Sequence, residues 1–412
     1  MADHTQIHDD VIAKEFIMQF KNSTTFVKNV HQGHSKEFRK VGDTIRIQRP
    51  NRFTTGDGAD ITNTMNTLKE GSTTLTLSQK HAAIEFTAKD LTLGLDRMSE
   101  RVIQPIAAQL ANDVDELGLA EYSKVYNVAG TAGVTPATFA ALGAAATKLD
   151  NYGVPRKDRV MILNPAAEWA MADALKGLYL EKEVRGMITN GKLARVGGFD
   201  IFGDQNVANH TIGGNGGAPV VALDSDISAG STGLTYLTSD VNGTSSTVYL
   251  DGATASTEIF TVGDILTLGV YGVNPKNRNS TGQLQEFTVL SGGTADASGY
   301  LSLVVAPAIV TAAVNEAHQT VVSAPAENAV PVVLTASHVA NLAFQKNAFT
   351  FGTAQLEVLA GVEGSTAHDD ETGISMRFMK QGDIRHDVNI MRFDILFGWQ
   401  CINPGFACRL LG

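Results

Sequence analysis

Apolar residues recur along this chain with two periods, and each switch between them marks a new element. Over residues 8–22 (HDDVIAKEFIMQFKN), Val11, Phe16 and Phe20 come round to one side at helical spacing, which predicts a short amphipathic helix. The pattern then turns to alternation. In residues 41–48 (VGDTIRIQ), Ile45 and Ile47 share one face, with Arg46 and Gln48 on the other; in 72–78 (STTLTLS), Leu75 and Leu77 repeat the arrangement. Both segments read as strands with one face buried. Between them, residues 49–71 are almost wholly Thr, Asn, Asp and Gly. A polar connection of that length inside a compact domain tends to be functional or disordered.

The strongest helical stripe follows. Ile103, Ile106, Leu110, Val114 and Leu117 keep a 3–4 spacing, and Asp113, Asp115, Glu116 and Glu121 fall mostly off it. Pro105 requires either that the helix opens there or that its early turn is kinked. A second helix is predicted from Pro136 behind a Thr135 cap, with Phe139, Leu142, Ala146 and Leu149 in register. Residues 159–163 (RVMIL) read as a short apolar strand, and Asn164-Pro165 caps and opens a third helix through Trp169 and Leu175. Helix, strand and helix in close succession predict a mixed core within an α+β chain.

From about Gly213 the texture changes. Residues 213–219 (GGNGGAP) read as a linker. Beyond them, Asn242-Gly243, Asp251-Gly252 and Gly292-Gly293 punctuate β-prone runs at 265–271, 286–290 and 300–305. Residues 218–330 hold ten acidic side chains against Lys276 and Arg278, so this stretch supplies −8 of the chain's net charge of −11. It is expected to be an inserted, acidic, β-barrel-like domain. Residues 390–399 close the chain with another β-prone run, and no internal repeat stands out.

Overall acidity argues against a general grip on nucleic acid, which rests on basic surface and counterion release. The first twenty residues lack the pattern of a secretory signal, and no apolar run approaches the ~20 residues that span a bilayer. Cys401 and Cys408 are the only cysteines and are expected to be free thiols of a reducing compartment. Catalytic and cofactor motifs fail one by one. Residues 186–193 (GMITNGKL) imitate a phosphate loop, but Leu193 stands where Ser or Thr should hold magnesium. The run His368-Asp369-Asp370-Glu371 holds ligand-type residues that point apart, and Asp224-Ser225-Asp226 lacks the glutamate that completes a calcium loop. His4, His8, His31 and His34 need no role. No catalytic, cofactor or metal residue is therefore assigned. One charged feature remains: Lys36, Arg39, Lys40, Arg46, Arg49 and Arg52 against Glu37 and Asp43, a basic stretch able to dock on an acidic neighbour.

Five segments then resemble one family in its own order. VGDTIRIQRPNRFT (41–54) resembles the strand entering the extended loop of major capsid proteins from short-tailed double-stranded-DNA phages. QPIAAQLANDVDELGLAEYS (104–123) resembles their long spine helix, and VGGFDIF (196–202) the close of the first half of their apical domain. FTVGDILTLGVYGVNPKNRNSTGQLQEFTVL (260–290) is similar to the inserted domain of the Salmonella short-tailed phage coat family, and MKQGDIRHDVNIMRFDILFGW (379–399) to the returning peripheral-domain strand.

The resemblance implies the tailed-phage major capsid protein fold. Its parts would be an N-terminal arm (1–43), an extended loop with its strands (44–78) and a peripheral domain with the spine helix (79–135). An apical domain (136–217 and 331–378), interrupted by the insert (218–330), and C-terminal peripheral-domain strands (379–412) would complete it. It implies a non-enzymatic shell protein without cofactors, assembled in the host cytoplasm into hexamers and pentamers of an icosahedral virion. The partners implied are a scaffolding protein, a portal protein and enclosed double-stranded DNA held without specific binding, with no membrane. A separate scaffold is expected because the chain begins almost at the arm, where relatives without one carry a long propeptide. Inter-subunit contact is expected of Arg49, Arg52, Phe53, Asp57, Asp60 and Lys69 in the loop. The competing reading is a β-rich surface protein of adhesin type, suggested by the Gly, Thr and Ser content and opposed by the missing export signal.

Overall fold

The computed structural model describes residues 4–33, 44–49, 52–55, 58–59, 71–87, 99–175, 195–214, 216–222, 244–326, 328–334, 336–369 and 373–412. They fall into two compact units: 1–47, 74–119 and 349–402 in one, 48–73, 120–348 and 403–412 in the other.

The first unit is built on one long strand, Val388–Cys401, whose Met391, Phe393, Ile395 and Phe397 alternate onto a buried face. Ser78–Thr87 pairs along one edge, from Phe397 opposite Ser78 to Val388 opposite Thr87. Ser375–Asp383 and then Phe349–Ala354 pair along the other, and Glu363–His368 adds a strand beyond Ser375–Asp383, all antiparallel. The strand Ser78–Thr87 is not among the predicted elements. Ala82, Ile84 and Phe86 do alternate there, but Lys80, His81 and Glu85 dilute the signal.

The N-terminal helix His4–Ser23 packs on the helix Gln104–Leu119 and on the strands Glu363–His368 and Ser375–Asp383. Its buried face is Ile12, Ala13, Phe16, Ile17 and Phe20, and Phe16 stacks on Phe393 at 4.3 Å between ring centroids. Each such buried phenylalanine contributes about 2 kcal/mol of transfer free energy. Val11, predicted for the same face, is exposed. At 100° per residue it stands ~170° from the centre of that stripe.

The helix Gln104–Leu119 follows a π-helical turn, Ser99–Ile103, which places Pro105 in the helix's own first turn, where its missing N–H is no loss. Ile103, Leu110 and Val114 are buried as their spacing predicts. Leu117, however, is exposed, and Asp115 takes a buried place.

The second unit holds two sheets. In the mixed sheet the order is Val128–Ala129, Ala407–Leu411, His338–Gln345, Arg159–Leu163, Phe199–Gly203, Arg195–Val196. Arg159–Leu163 runs parallel to Phe199–Gly203, and Val128–Ala129 parallel to Ala407–Leu411. Arg159–Leu163 is buried along its whole length, as an apolar strand covered on both faces should be. Helix Phe139–Asn151 covers Leu163, Phe199, Cys408 and Leu410 through Leu142, Ala145 and Leu149. It begins three residues later than predicted, because Thr138 rather than Thr135 is the cap: its hydroxyl accepts from Ala141 N–H at 3.3 Å. Phe139 is consequently exposed. Helix Pro165–Leu175 opens as expected, with Asn164 Oδ1 accepting from Ala167 N–H at 3.1 Å, and Trp169 faces solvent.

The other sheet is antiparallel throughout, in the order Val332–Val333, Ile265–Val273, Ser280–Gly292, Leu301–Ala306, Ser246–Ala253, Gly217–Val221. Val221 N–H donates to Ala329 O at 2.9 Å and Asn328 N–H to Val221 O at 3.0 Å, so the segment leading to Val332–Val333 ties one edge of the sheet to the other. Phe260, Leu266, Phe287, Val289, Leu303 and Val305 fill its own core. The sheet starts within the expected linker, at Gly217, and ends beyond residue 330, at Val333.

The division into two units runs through three of the expected parts. Residues 349–378, assigned to the apical part, lie in the first unit because Phe349–Ala354 pairs with the long strand. Residues 120–135 lie in the second unit, and so do residues 403–412, whose strand Ala407–Leu411 sits inside the mixed sheet rather than beside Val388–Cys401.

Candidate assembly site

At the base of the long loop, Thr44–Gln48 and Ser72–Thr76 form a two-stranded sheet, an arrangement marginal by itself in water. Its apolar side is covered: Ile45, Ile47 and Leu75 cluster with Ile402, and Leu77 and Ala354 pack at the margin. Arg49 N–H donates to Gly71 O at 2.7 Å and closes the base. Arg52 is exposed, and Phe53 leaves 59% of its surface in solvent. The Arg52 charge reaches His318, whose pKa is lowered first by burial and then by that charge. Of the six loop residues expected to make inter-subunit contacts, Arg49 is half-buried at the base, and Arg52 and Phe53 are exposed. Asp57, Asp60 and Lys69 lie outside the described residues, as do Lys36, Arg39 and Lys40.

A second cluster has no counterpart in the sequence analysis. Arg409, fully buried in the last strand, donates from Nη1 to Gly263 O at 2.6 Å. Its Nη2 donates to Ser123 O at 3.1 Å and to Thr288 Oγ1 at 2.9 Å. Its guanidinium lies 5.1 Å from the ring centre of Tyr122. Burial pulls its pKa down to about 10 against the opposing pull of Tyr122, Asp264, Cys408 and Glu286. Beside it His210 joins Asp264 Oδ1 through Nε2 at 2.8 Å and the Tyr122 hydroxyl through Nδ1 at 3.0 Å. Burial alone would raise the Asp264 pKa. The His210 hydrogen bond and the Thr261 and Gly213 N–H groups outweigh it, and the carboxyl ends below its ordinary value. Nearby, Glu286 bonds Lys148 Nζ and Val128 N–H, both at 2.8 Å, yet burial still holds its pKa above the usual range. Thr288 and Glu286 belong to the antiparallel sheet and Asp264 leads into its strand Ile265–Val273; His210, Tyr122, Arg409, Lys148 and Val128 belong to the chain that carries it.

Nothing local announces this network. Its members are spread from Tyr122 to Arg409, and a buried arginine in an apolar strand (ACRLL) is the one anomaly available to a sequence reader.

The motifs singled out for their chemistry resolve into ordinary contacts where they are described. His368 Nδ1 meets Ser375 Oγ at 2.7 Å, and Asp369 pairs with Lys21 at 3.2 Å. Asp370 and Glu371 lie outside the described residues, together with residues 186–193 and 224–226. Among the described residues no three His, Cys, Asp or Glu side chains converge on a possible metal position, and no disulfide joins the buried Cys401 and Cys408. No described helix is long and apolar enough to cross a membrane.

Residues 1–412 match the family described as P22 coat protein, gene protein 5. The major capsid protein of Acyrthosiphon pisum secondary endosymbiont phage 1 is 24% identical over 424 residues, covering 98% of this chain and 97% of that protein. Among solved structures, one from Mycobacterium phage Che8 aligns with a TM-score of 0.45 at 11% identity, covering 94% of this chain and 90% of its own. The capsid of cyanophage P-SCSP1u aligns with a TM-score of 0.42 at 10% identity, covering 89% and 83%.

Proposed function

Because this chain belongs to the P22 coat protein family over its whole length, and is a phage major capsid protein that self-assembles into icosahedral shells, we propose how its parts serve that assembly. The shell forms first as a procapsid around a separate scaffolding protein, in the host cytoplasm, and receives double-stranded DNA through a portal. Residues 4–23 act as the N-terminal arm, the loop between Thr44–Gln48 and Ser72–Thr76 as the extended loop, and Gln104–Leu119 as the spine helix. The antiparallel sheet 217–333 is the inserted domain. The wall encloses DNA without a specific site for it, in keeping with a net charge of −11.

The family match carries this reading, and the loop supplies its physical support. A two-stranded sheet closed by Arg49 and Gly71 orders the chain on either side of the loop, and Phe53 is exposed beyond it. Contact with a neighbouring copy gives that ordering a return. In a closed shell many modest contacts of this kind add up while each remains reversible.

Sedimentation and negative-stain electron microscopy test the proposal. The purified chain is expected to be monomeric alone and to form closed particles of uniform size when scaffolding protein is supplied. A compact dimer as the sole product, with scaffold present, overturns the scaffold-dependent route.

A further inference from the structure

The chain enters the antiparallel sheet just after His210 and returns from it just before His338, and the two histidines face one another at that neck. Asn209–His210 pairs antiparallel with the start of His338–Gln345, placing His338 directly opposite His210. Their ring centres are 5.2 Å apart, and both side chains are almost fully buried. Asp264, just ahead of the strand Ile265–Val273, bonds His210, and Arg409 holds Gly263 O and Thr288 Oγ1 from the other side. We propose that this neck is an acid-operated latch: protonation of His338 frees the inserted sheet to move on the strands that carry it, while both remain folded.

The charge balance of the neck sets the direction. The groups that face the histidines are Tyr122 from the turn Ala120–Lys124, Asp264 ahead of Ile265–Val273, and Arg409 from Ala407–Leu411. Glu286 from Ser280–Gly292, paired with Lys148 of helix Phe139–Asn151, acts on the same Arg409. Asp264 is the one carboxylate among them bonded to a histidine, and it already receives His210 and two backbone N–H groups. His338 Nδ1 donates to Ala336 O at 3.1 Å, and its Nε2 is buried with no hydrogen-bond partner among the described residues. A proton arriving at Nε2 therefore adds a positive charge with no acceptor, in a volume that already contains Arg409. A buried charge without a partner is among the most expensive features a fold can carry.

The His338 pKa moves accordingly. Burial lowers it first; Ala336 O resists, His210 and Arg409 lower it further, and Asp264 opposes them. Its folded value lies below the unfolded ~6.5, so the unfolded or opened neck binds the proton more readily. Stability is lost as pH falls from the unfolded value toward the folded one. Histidines placed in this way act as pH sensors in other folds.

Hydrogen exchange on the full-length, unassembled chain tests the latch without depending on shell formation. Rates are corrected for intrinsic pH dependence and compared at pH 7.5 and 5.0. Peptides covering 209–213, 261–265 and 336–340 are expected to exchange at least tenfold faster at pH 5.0, and those covering 388–401 to stay as they were. In His338→Asn the amide nitrogen can replace Nδ1 toward Ala336 O, and the neck should stay protected at pH 5.0. Should that variant fail to fold, the wild-type chain decides: the midpoint of neck opening should match the midpoint of the His338 imidazole followed by NMR. A neck equally protected at both pH values, an H338N variant that opens like wild type, or midpoints that disagree each overturn the proposal.

Discussion

The indole N–H of Trp399 donates to the backbone carbonyl of Val114 at 3.0 Å. This bond joins the long strand to the helix Gln104–Leu119 one turn before Gly118, and the glycine makes the approach possible. A Cβ at Gly118 would lie 2.6 Å from both Phe26 Cδ1 and Trp399 Cζ2. Phe26 and Trp399 are themselves stacked at 4.9 Å, so neither ring can retreat alone. Gly118→Ala is expected to destabilise the monomer by roughly 1–3 kcal/mol, the cost of overpacking a filled core. Urea unfolding measures it, and an unchanged midpoint would show that the rings do yield.

Asp115 lies in the same junction. Its carboxylate accepts from three successive backbone N–H groups, Thr25 at 2.6 Å and Phe26 and Val27 at 3.2 Å, where the chain leaves the N-terminal helix. Asp115→Ala leaves those donors without their acceptor. The expected loss is about 3 kcal/mol, since each buried unsatisfied group costs about 1–3 kcal/mol and relaxation recovers part. D115N retains one acceptor oxygen and should lose less. Equal losses for the two variants would mean that the carboxylate does not act as the acceptor of this turn.

Asp394 supplies the pH-dependent case. Burial would raise its pKa, but hydrogen bonds from Arg377, Arg392 and Gln79 outweigh burial and hold it below the usual carboxylate range. A lowered folded pKa contributes stability that is complete above the unfolded value of ~3.9 and is lost as pH falls through the folded value. Arg377→Met removes both donors from Asp394 Oδ2 and leaves Arg392 and Gln79 on Oδ1, and is expected to cost about 2 kcal/mol at pH 7. Its deficit relative to wild type should shrink between pH 5 and 3, as the variant's Asp394 takes up a proton. A deficit that stays constant over that range would assign the effect to packing of the arginine stem.

For the loop, assembly and folding are expected to separate. Replacing residues 53–68 with a short Gly-Ser turn should leave the monomer's melting temperature nearly unchanged and abolish shells. Charge reversal at the exposed Arg52 should weaken assembly more at low salt than at high salt, because exposed pairs of about 0.2–1 kcal/mol are screened. Light scattering during scaffold-assisted assembly follows both. Normal shells from the shortened chain would make the loop dispensable.

The sequence by itself determined the elements whose partners are near in the chain. Alternation placed Ile45, Ile47 and Leu75 on a buried face, an apolar run defined Arg159–Leu163, and Asn164 capped the helix behind it. These follow from steric and hydrogen-bonding preferences within a few residues, which travel with the residues themselves. Tertiary structure alone decided the rest. Asp115 reads as a solvent-facing helix position and is buried because donors about ninety residues earlier need an acceptor. Ser78–Thr87 is a strand because Val388–Cys401 presents an open edge to it. Residues 349–402 join the first unit, and 403–412 the second, through pairings that no local pattern encodes. His210, Asp264 and Arg409 form one network only after three distant segments meet at the neck. A buried polar group needs a partner, and sequence shows the need without showing where along the chain the partner lies.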